Sequence, residues 1–159
     1  MFNLVKETKG NIIEIRLMGV INESVDFDKL IGAPPAPPSE LHVYCKNVQR
    51  LNSIGVKSWM KYFQQVQLKG TKIKFFECSF AMVEQMNMIS NFNCGGEIDS
   101  IFVPFLCSNS ACKKDLAALL KTSEIKQMRK KVPNLKCPNC KSDAVFDDIA
   151  EEYFMFLAP

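Results

Sequence analysis

Leu51-Asn52-Ser53-Ile54-Gly55-Val56 is the junction that decides how this chain folds. A strand-like run, Leu41-His42-Val43-Tyr44-Cys45, leads toward it, and a helical pattern leaves it over residues 54–68. Val56, Trp59, Met60, Phe63 and Val66 recur at helical spacing, with Lys57, Lys61, Gln64, Gln65 and Gln67 between them. Gly70 supplies the stop. Asn52 and Ser53 stand where the helix needs a side-chain oxygen to accept one of its unpaired backbone N–H groups. Ser53 is the residue expected to cap. The sharper reading of the same position is a hydroxyl displayed at the positive end of a helix dipole, where a phosphate is tolerated.

Working outward, Phe2–Thr8 and Asn11–Met18 read as two strands of a hairpin turning at Lys9-Gly10. Ile13, Ile15 and Leu17 alternate with Glu14 and Arg16, as a sheet with one buried face requires. Phe27, Leu30 and Ile31 anchor one or two helical turns. The run Gly32-Ala33-Pro34-Pro35-Ala36-Pro37-Pro38 contains overlapping Pro-x-x-Pro spacings, but between elements of a compact domain it reads as a stiff connector. Ile73–Phe76 is a further strand, Ser79 caps a second helix reaching Ile89, and Ser100–Val103 is a last strand before Pro104. Three methionines, Met82, Met86 and Met88, lie on that second helix, where gap-filling in a core is the usual role and an adaptable partner surface the rarer one. The sum is an α/β fold: a hairpin followed by β-α-β-α-β in one mixed sheet. Right-handed crossovers put both long helices on the same face.

With Ser58-Trp59, Gly70 and the strand Lys72-Ile73-Lys74-Phe75-Phe76-Glu77-Cys78, the Leu51–Val56 junction resembles the STAS domain of bacterial anti-sigma-factor antagonists. The resemblance spans residues 1–106. In that family a strand leads into an Asp-Ser-x-Gly loop whose serine is phosphorylated by a partner anti-sigma kinase. Ser53 falls on that serine and Gly55 on that glycine, while Asn52 stands where the acidic residue usually lies. The resemblance implies a non-enzymatic signalling or adaptor module, a phosphoprotein at Ser53. A protein partner would dock on Asn52, Ser53, Ile54, Gly55 and Lys57.

Residues 107–159 carry a different signal. Cys107-Ser108-Asn109-Ser110-Ala111-Cys112 is followed, after 24 intervening residues, by Cys137-Pro138-Asn139-Cys140. Two short knuckles, each with turn-forming residues between its cysteines, supply the four thiolates that zinc takes tetrahedrally. With no histidine or carboxylate completing an open site, Cys107, Cys112, Cys137 and Cys140 are expected to hold one structural Zn²⁺ in a zinc ribbon. The tail, Asp147–Leu157, reads as an acid-started helix whose aromatics need a surface, either the sheet domain or a second copy in a homodimer.

Composition sets the outer limits. Of the 159 residues, 47% are hydrophobic and 12 are Phe, enough for a real core. The net charge of +3 does not by itself demand a nucleic acid or membrane. Lys121, Lys126, Arg129, Lys130 and Lys131 form one basic run, which makes a nucleic-acid-binding ribbon the rival function. No aromatics interleave with it for base stacking, so a solvated surface is the plainer expectation. No apolar run approaches the ~20 residues of a membrane span, and seven cysteines suit metal binding in a cytoplasmic protein better than a disulfide framework. No paired carboxylates, nucleophile–base set or phosphate-cradling glycine loop marks an enzyme.

Overall fold

A computed structural model describes residues 1–157. Strands β1 (Phe2–Lys9) and β2 (Ile12–Ile21) form the hairpin, turning at Gly10 with φ 61°. Then come α1 (Phe27–Ile31), β3 (Glu40–Leu51), α2 (Ser53–Leu68), β4 (Lys72–Phe76), α3 (Phe80–Met88) and the two-residue β5 (Glu97–Ile98). These strands make a mixed five-stranded sheet in simple sequence order, antiparallel at the hairpin and parallel from β2 onward.

The second half is also a sheet. Strands β6 (Ser100–Cys107) and β7 (Asp115–Lys121) are followed by α4 (Thr122–Gln127), β8 (Leu135–Lys136), β9 (Asp143–Phe146) and α5 (Ala150–Tyr153). The four strands pair antiparallel in the order β7-β6-β9-β8.

This corrects the expected place of the last strand. Ser100–Cys107 does not complete the first sheet; after one parallel bridge, Cys78 to Ile101, it becomes a central strand of the second. The physical reason is its pattern. Ser100, Ile101, Val103, Phe105 and Cys107 are all buried, so the strand needs neighbours beyond residue 98, and the chain after Cys107 provides them. Residues 106 and 107 are consecutive within it.

The first core lies between the five-stranded sheet and its helices. Ile15, Leu17, Leu41, Val43 and Phe75 meet Trp59, Phe63, Val66, Met82 and Val83, all at most 1% exposed. Trp59 stacks on Phe92 at 5.2 Å and its indole N–H donates to the Phe92 carbonyl at 3.0 Å, so this large ring is buried with its polar atom satisfied. Tyr62 is buried as well, beyond the stripe read from the sequence, because Phe27 of α1 extends the surface that α2 covers. On the sheet's other face the alternating residues stay partly open, with the Arg16 guanidinium 4.1 Å over Tyr44 and Tyr44 stacked on Phe76. The proline run is tied at its middle by Thr71 Oγ1 donating to the Pro35 carbonyl and at its end by Asn11 Nδ2 donating to that of Pro38.

A second aromatic group, Phe105, Phe146, Tyr153 and Phe154, continues the core into the second sheet. The tail helix is one turn, α5, continued by a 3-10 turn at Met155–Leu157. Tyr153, Phe154 and Leu157 are buried within the chain itself, and the Tyr153 hydroxyl donates to the Phe102 carbonyl at 2.6 Å.

Candidate functional site

Cys107 ends β6, and the first knuckle is bent by Asn109. Its side-chain oxygen accepts from the Ala111 N–H, and its carbonyl accepts from those of Cys112 and Lys113. The second knuckle leaves β8 and returns into β9, closed by Cys137 N–H to Ser142 O at 2.7 Å and Lys141 N–H to Cys137 O at 2.9 Å. Each ends in a lysine with left-handed backbone, Lys113 at φ 47° and Lys141 at φ 66°. Pairing of β6 with β9, at Cys107 opposite Ala144, brings the knuckles together.

All four Sγ atoms lie within 4.8 Å of one another, with Cys107 to Cys140 at 3.4 Å and Cys112 to Cys137 at 3.9 Å. A tetrahedron with metal–sulfur bonds of about 2.3 Å has sulfur–sulfur edges of about 3.8 Å. The set is therefore positioned to hold one metal ion. Ser142 and the neighbouring thiols hold Cys140 down at about 6, and backbone N–H groups lower Cys137. At Cys107 the Asn109 N–H pulls downward, but burial and hydrogen bonds with the other thiols push it up to about 12. A cation binding to the group must therefore displace the Cys107 proton. Asn139 Nδ2 donates to Cys112 Sγ at 3.4 Å, a partner outside the ligand set that orients the sulfur. The other three cysteines, Cys45, Cys78 and Cys94, are buried in the core. Burial pushes the thiols of Cys45 and Cys94 upward, as for small apolar groups.

The chain matches no known family model and no curated protein.

At the Leu51–Val56 junction one expectation is corrected. The cap of α2 is Asn52, not Ser53. Asn52 is extended at φ −95° and its side-chain oxygen accepts the Gly55 N–H at 2.8 Å, while Ser53 is already the first helical residue. Asn52 Nδ2 also donates to Glu23 Oε2 at 2.9 Å, and this hydrogen bond lowers the Glu23 carboxyl. An aspartate would accept the Gly55 N–H equally well but would set a second negative charge against Glu23. Asparagine does both jobs, so its presence here has a local cause. Sequence reading missed Glu23, which no spacing ties to Asn52. Ser53, Ile54 and Lys57 are exposed beside this cap, Ile54 at 53%, and Gly55 is buried beneath them.

The cap assignment makes a prediction. Asn52→Ala should cost about 1 kcal/mol of stability, whereas Ser53→Ala should stay within about 0.5 kcal/mol of the parent. Urea unfolding of both variants checks this; the opposite order would return the cap to Ser53.

The basic run is split by its own anchors. Thr122 and Ile125 of α4 are buried, with Thr122 Oγ1 donating to the Ile98 carbonyl at 2.6 Å. Lys121, Lys126, Arg129 and Lys131 are exposed, Lys130 is half-buried, and none of the five makes an ion pair among the described residues. His42 Nε2 lies 3.3 Å from Glu40 Oε1, and its ring packs on Phe76 at 5.3 Å. No helix among the described residues is long and apolar enough to cross a membrane.

Proposed function

We propose that this chain is a cytoplasmic, non-enzymatic signalling adaptor of the STAS type carrying a structural zinc ribbon, and that a protein partner, anti-sigma-factor-like or kinase-like, docks on Asn52–Gly55 and the first turns of α2. The observation that carries the reading is the exposed Ser53-Ile54-Lys57 surface at the amino end of a 16-residue helix, just beyond the carboxyl ends of parallel strands β2 and β3. An apolar Ile54 flanked by a hydroxyl and a cation offers a partner one anchor and two polar contacts. Zinc is the metal we assign to the cysteines, because four thiolates and no open coordination position make a closed structural site.

Ser53 is the switch in this reading. A charge there lies at the positive end of the helix dipole, worth about 0.3–1 kcal/mol in its favour, so it does not melt α2. Within a partner interface the same charge must be desolvated, which costs several kcal/mol if it finds no counter-charge. Ser53→Asp should therefore unfold within about 1 kcal/mol of the parent yet bind the captured native partner about tenfold or more weakly. Equal affinity would remove Ser53 from the interface.

A second reading is favoured by the unpaired cations of residues 121–131: a nucleic-acid-binding ribbon on an α/β platform. Changing Lys126, Arg129, Lys130 and Lys131 to glutamine should leave folding and protein-partner binding unaltered. Nucleic-acid affinity that falls steeply with salt in the parent, and is lost in this variant, would make the ribbon the functional surface.

A further inference from the structure

Helix α3 buries Met82, Val83 and Met86 and leaves a second stripe outside. Phe80, Glu84, Asn87 and Met88 recur at i, i+4, i+7 and i+8, and Phe80 and Met88 are 43% and 68% exposed. The tail forms a facing wall, so that Asp148, Glu152 and Tyr153 close a hollow of about 390 Å³ against this stripe. Its floor is rigid. Asn87 Nδ2 donates to the Tyr153 carbonyl at 2.9 Å, and the Phe156 N–H donates back to Asn87 Oδ1 at 2.8 Å. Past Met88 a second hollow of about 400 Å³ shares Asn87 and Met88 and continues to Met155, itself 51% exposed.

Charge lining these two hollows has one sign, although Phe80 also borders a neighbouring hollow that Lys46 lines. Three carboxylates, Glu84, Asp148 and Glu152, line the first hollow and no lysine, arginine or histidine lines either one. None of the three is in an ion pair among the described residues. The whole chain carries +3, so this concentration of negative charge is local. Anionic lipid and nucleic acid are repelled here. Exposed methionine and phenylalanine beside unpaired carboxylates complement a segment that is apolar on one side and cationic on the other.

We infer that the groove between α3 and the tail is a docking site for a basic amphipathic segment of a protein partner, separate from the α2 surface. The nine residues of α3 span about 13 Å, so a helical segment of two to three turns would lie along it. Its apolar side chains rest on Phe80 and Met88, and its cations face Glu84, Asp148 and Glu152. Leaving the groove unfilled exposes large apolar side chains that neither sheet needs.

The test uses the full-length, metal-loaded chain labelled with nitrogen-15 and a synthetic Leu/Lys amphipathic peptide of about 14 residues, with its Leu/Glu counterpart as control. Chemical-shift changes should be confined to residues 80–88 and 148–157, and the Leu/Glu peptide should produce none. Glu84→Lys with Glu152→Lys, and separately Met88→Asp, should each weaken Leu/Lys binding about tenfold or more. These are exposed positions, so the thermal midpoints should stay within about 2 °C of the parent; a variant that shifts further is replaced by Glu84→Gln with Glu152→Gln. Equal binding of both peptides, shifts centred elsewhere, or no binding at millimolar peptide would overturn the inference. So would a chain that doubles its mass in light scattering and reverts on Met88→Asp, which would give the groove to a second copy. Ser53→Asp should bind the Leu/Lys peptide as the parent does, so a failure at α2 and a failure here read out separately.

Discussion

Metal removal is expected to release residues 107–114 and 135–146 while the five-stranded sheet stays folded. Apart from short strand pairing, only Leu135, Ala144 and Phe146 of those segments pack on the core. Strand β8 has two residues and pairs with β9 at two positions, and β9 meets β6 at three. Small zinc modules draw about 10–16 kcal/mol from their metal, far more than two or three strand pairs contribute. The seven-pair contact of β6 with β7 and the Tyr153–Phe154 packing lie outside the knuckles and should survive. Chelation, or Cys137→Ser, should therefore raise amide exchange in the knuckles and β8–β9 by orders of magnitude and leave β2–β4 protected. Acid should act like a chelator. Cys107 keeps its proton up to about 12, so a metal must displace it at neutral pH, and below about pH 6 Cys140 is protonated too. Metal affinity should accordingly fall as pH falls. Unchanged exchange of 135–146 in the metal-free chain would show that the knuckles hold themselves.

Legibility in the sequence followed the strength of local periodicity. The α2 stripe, the Lys9-Gly10 turn and the Ser79 cap, whose hydroxyl accepts from the Met82 N–H at 3.4 Å, were all readable because each rests on neighbours within one or two turns. The cysteine knuckles were readable for the same reason, and the structure joins them across β6 and β9. What the sequence hid was long-range. Strand β3 runs 12 residues, beyond the five that look like a strand, because its second half pairs only with β2 through two register shifts. Strand β7, Asp115-Leu116-Ala117-Ala118-Leu119-Leu120-Lys121, is made of good helix formers and becomes a strand only by pairing with β6. The cap passed to Asn52 because the chain stays extended one residue past Leu51, held by Asn52 N–H to Ile21 O at 3.1 Å.

That same Ile21 carbonyl explains Gly55 and sets the second large effect. A Cβ built on Gly55 would lie 2.6 Å from the Ile21 carbonyl carbon, closer still to its oxygen, and 3.1 Å from the Asn22 nitrogen. All are backbone atoms at the end of β2, so no side chain can swing aside. Gly55→Ala gains about 1 kcal/mol of helix propensity. Against this stands overpacking, which costs about 1–3 kcal/mol where side chains yield and more where they do not. The clash should win, with a net loss of about 3 kcal/mol, or roughly 10 °C in the thermal midpoint of a chain this size. The helix start would have to lift from β2, loosening the Asn52–Gly55 hydrogen bond and tilting Ser53, Ile54 and Lys57 together. Partner binding should thus fall along with stability in Gly55→Ala, whereas Ser53→Asp lowers binding alone. The glycine that the resemblance to STAS loops singles out is then a packing requirement on which the docking surface rests. A thermal midpoint equal to or above the parent's would mean that α2 does not sit this close to β2 in solution.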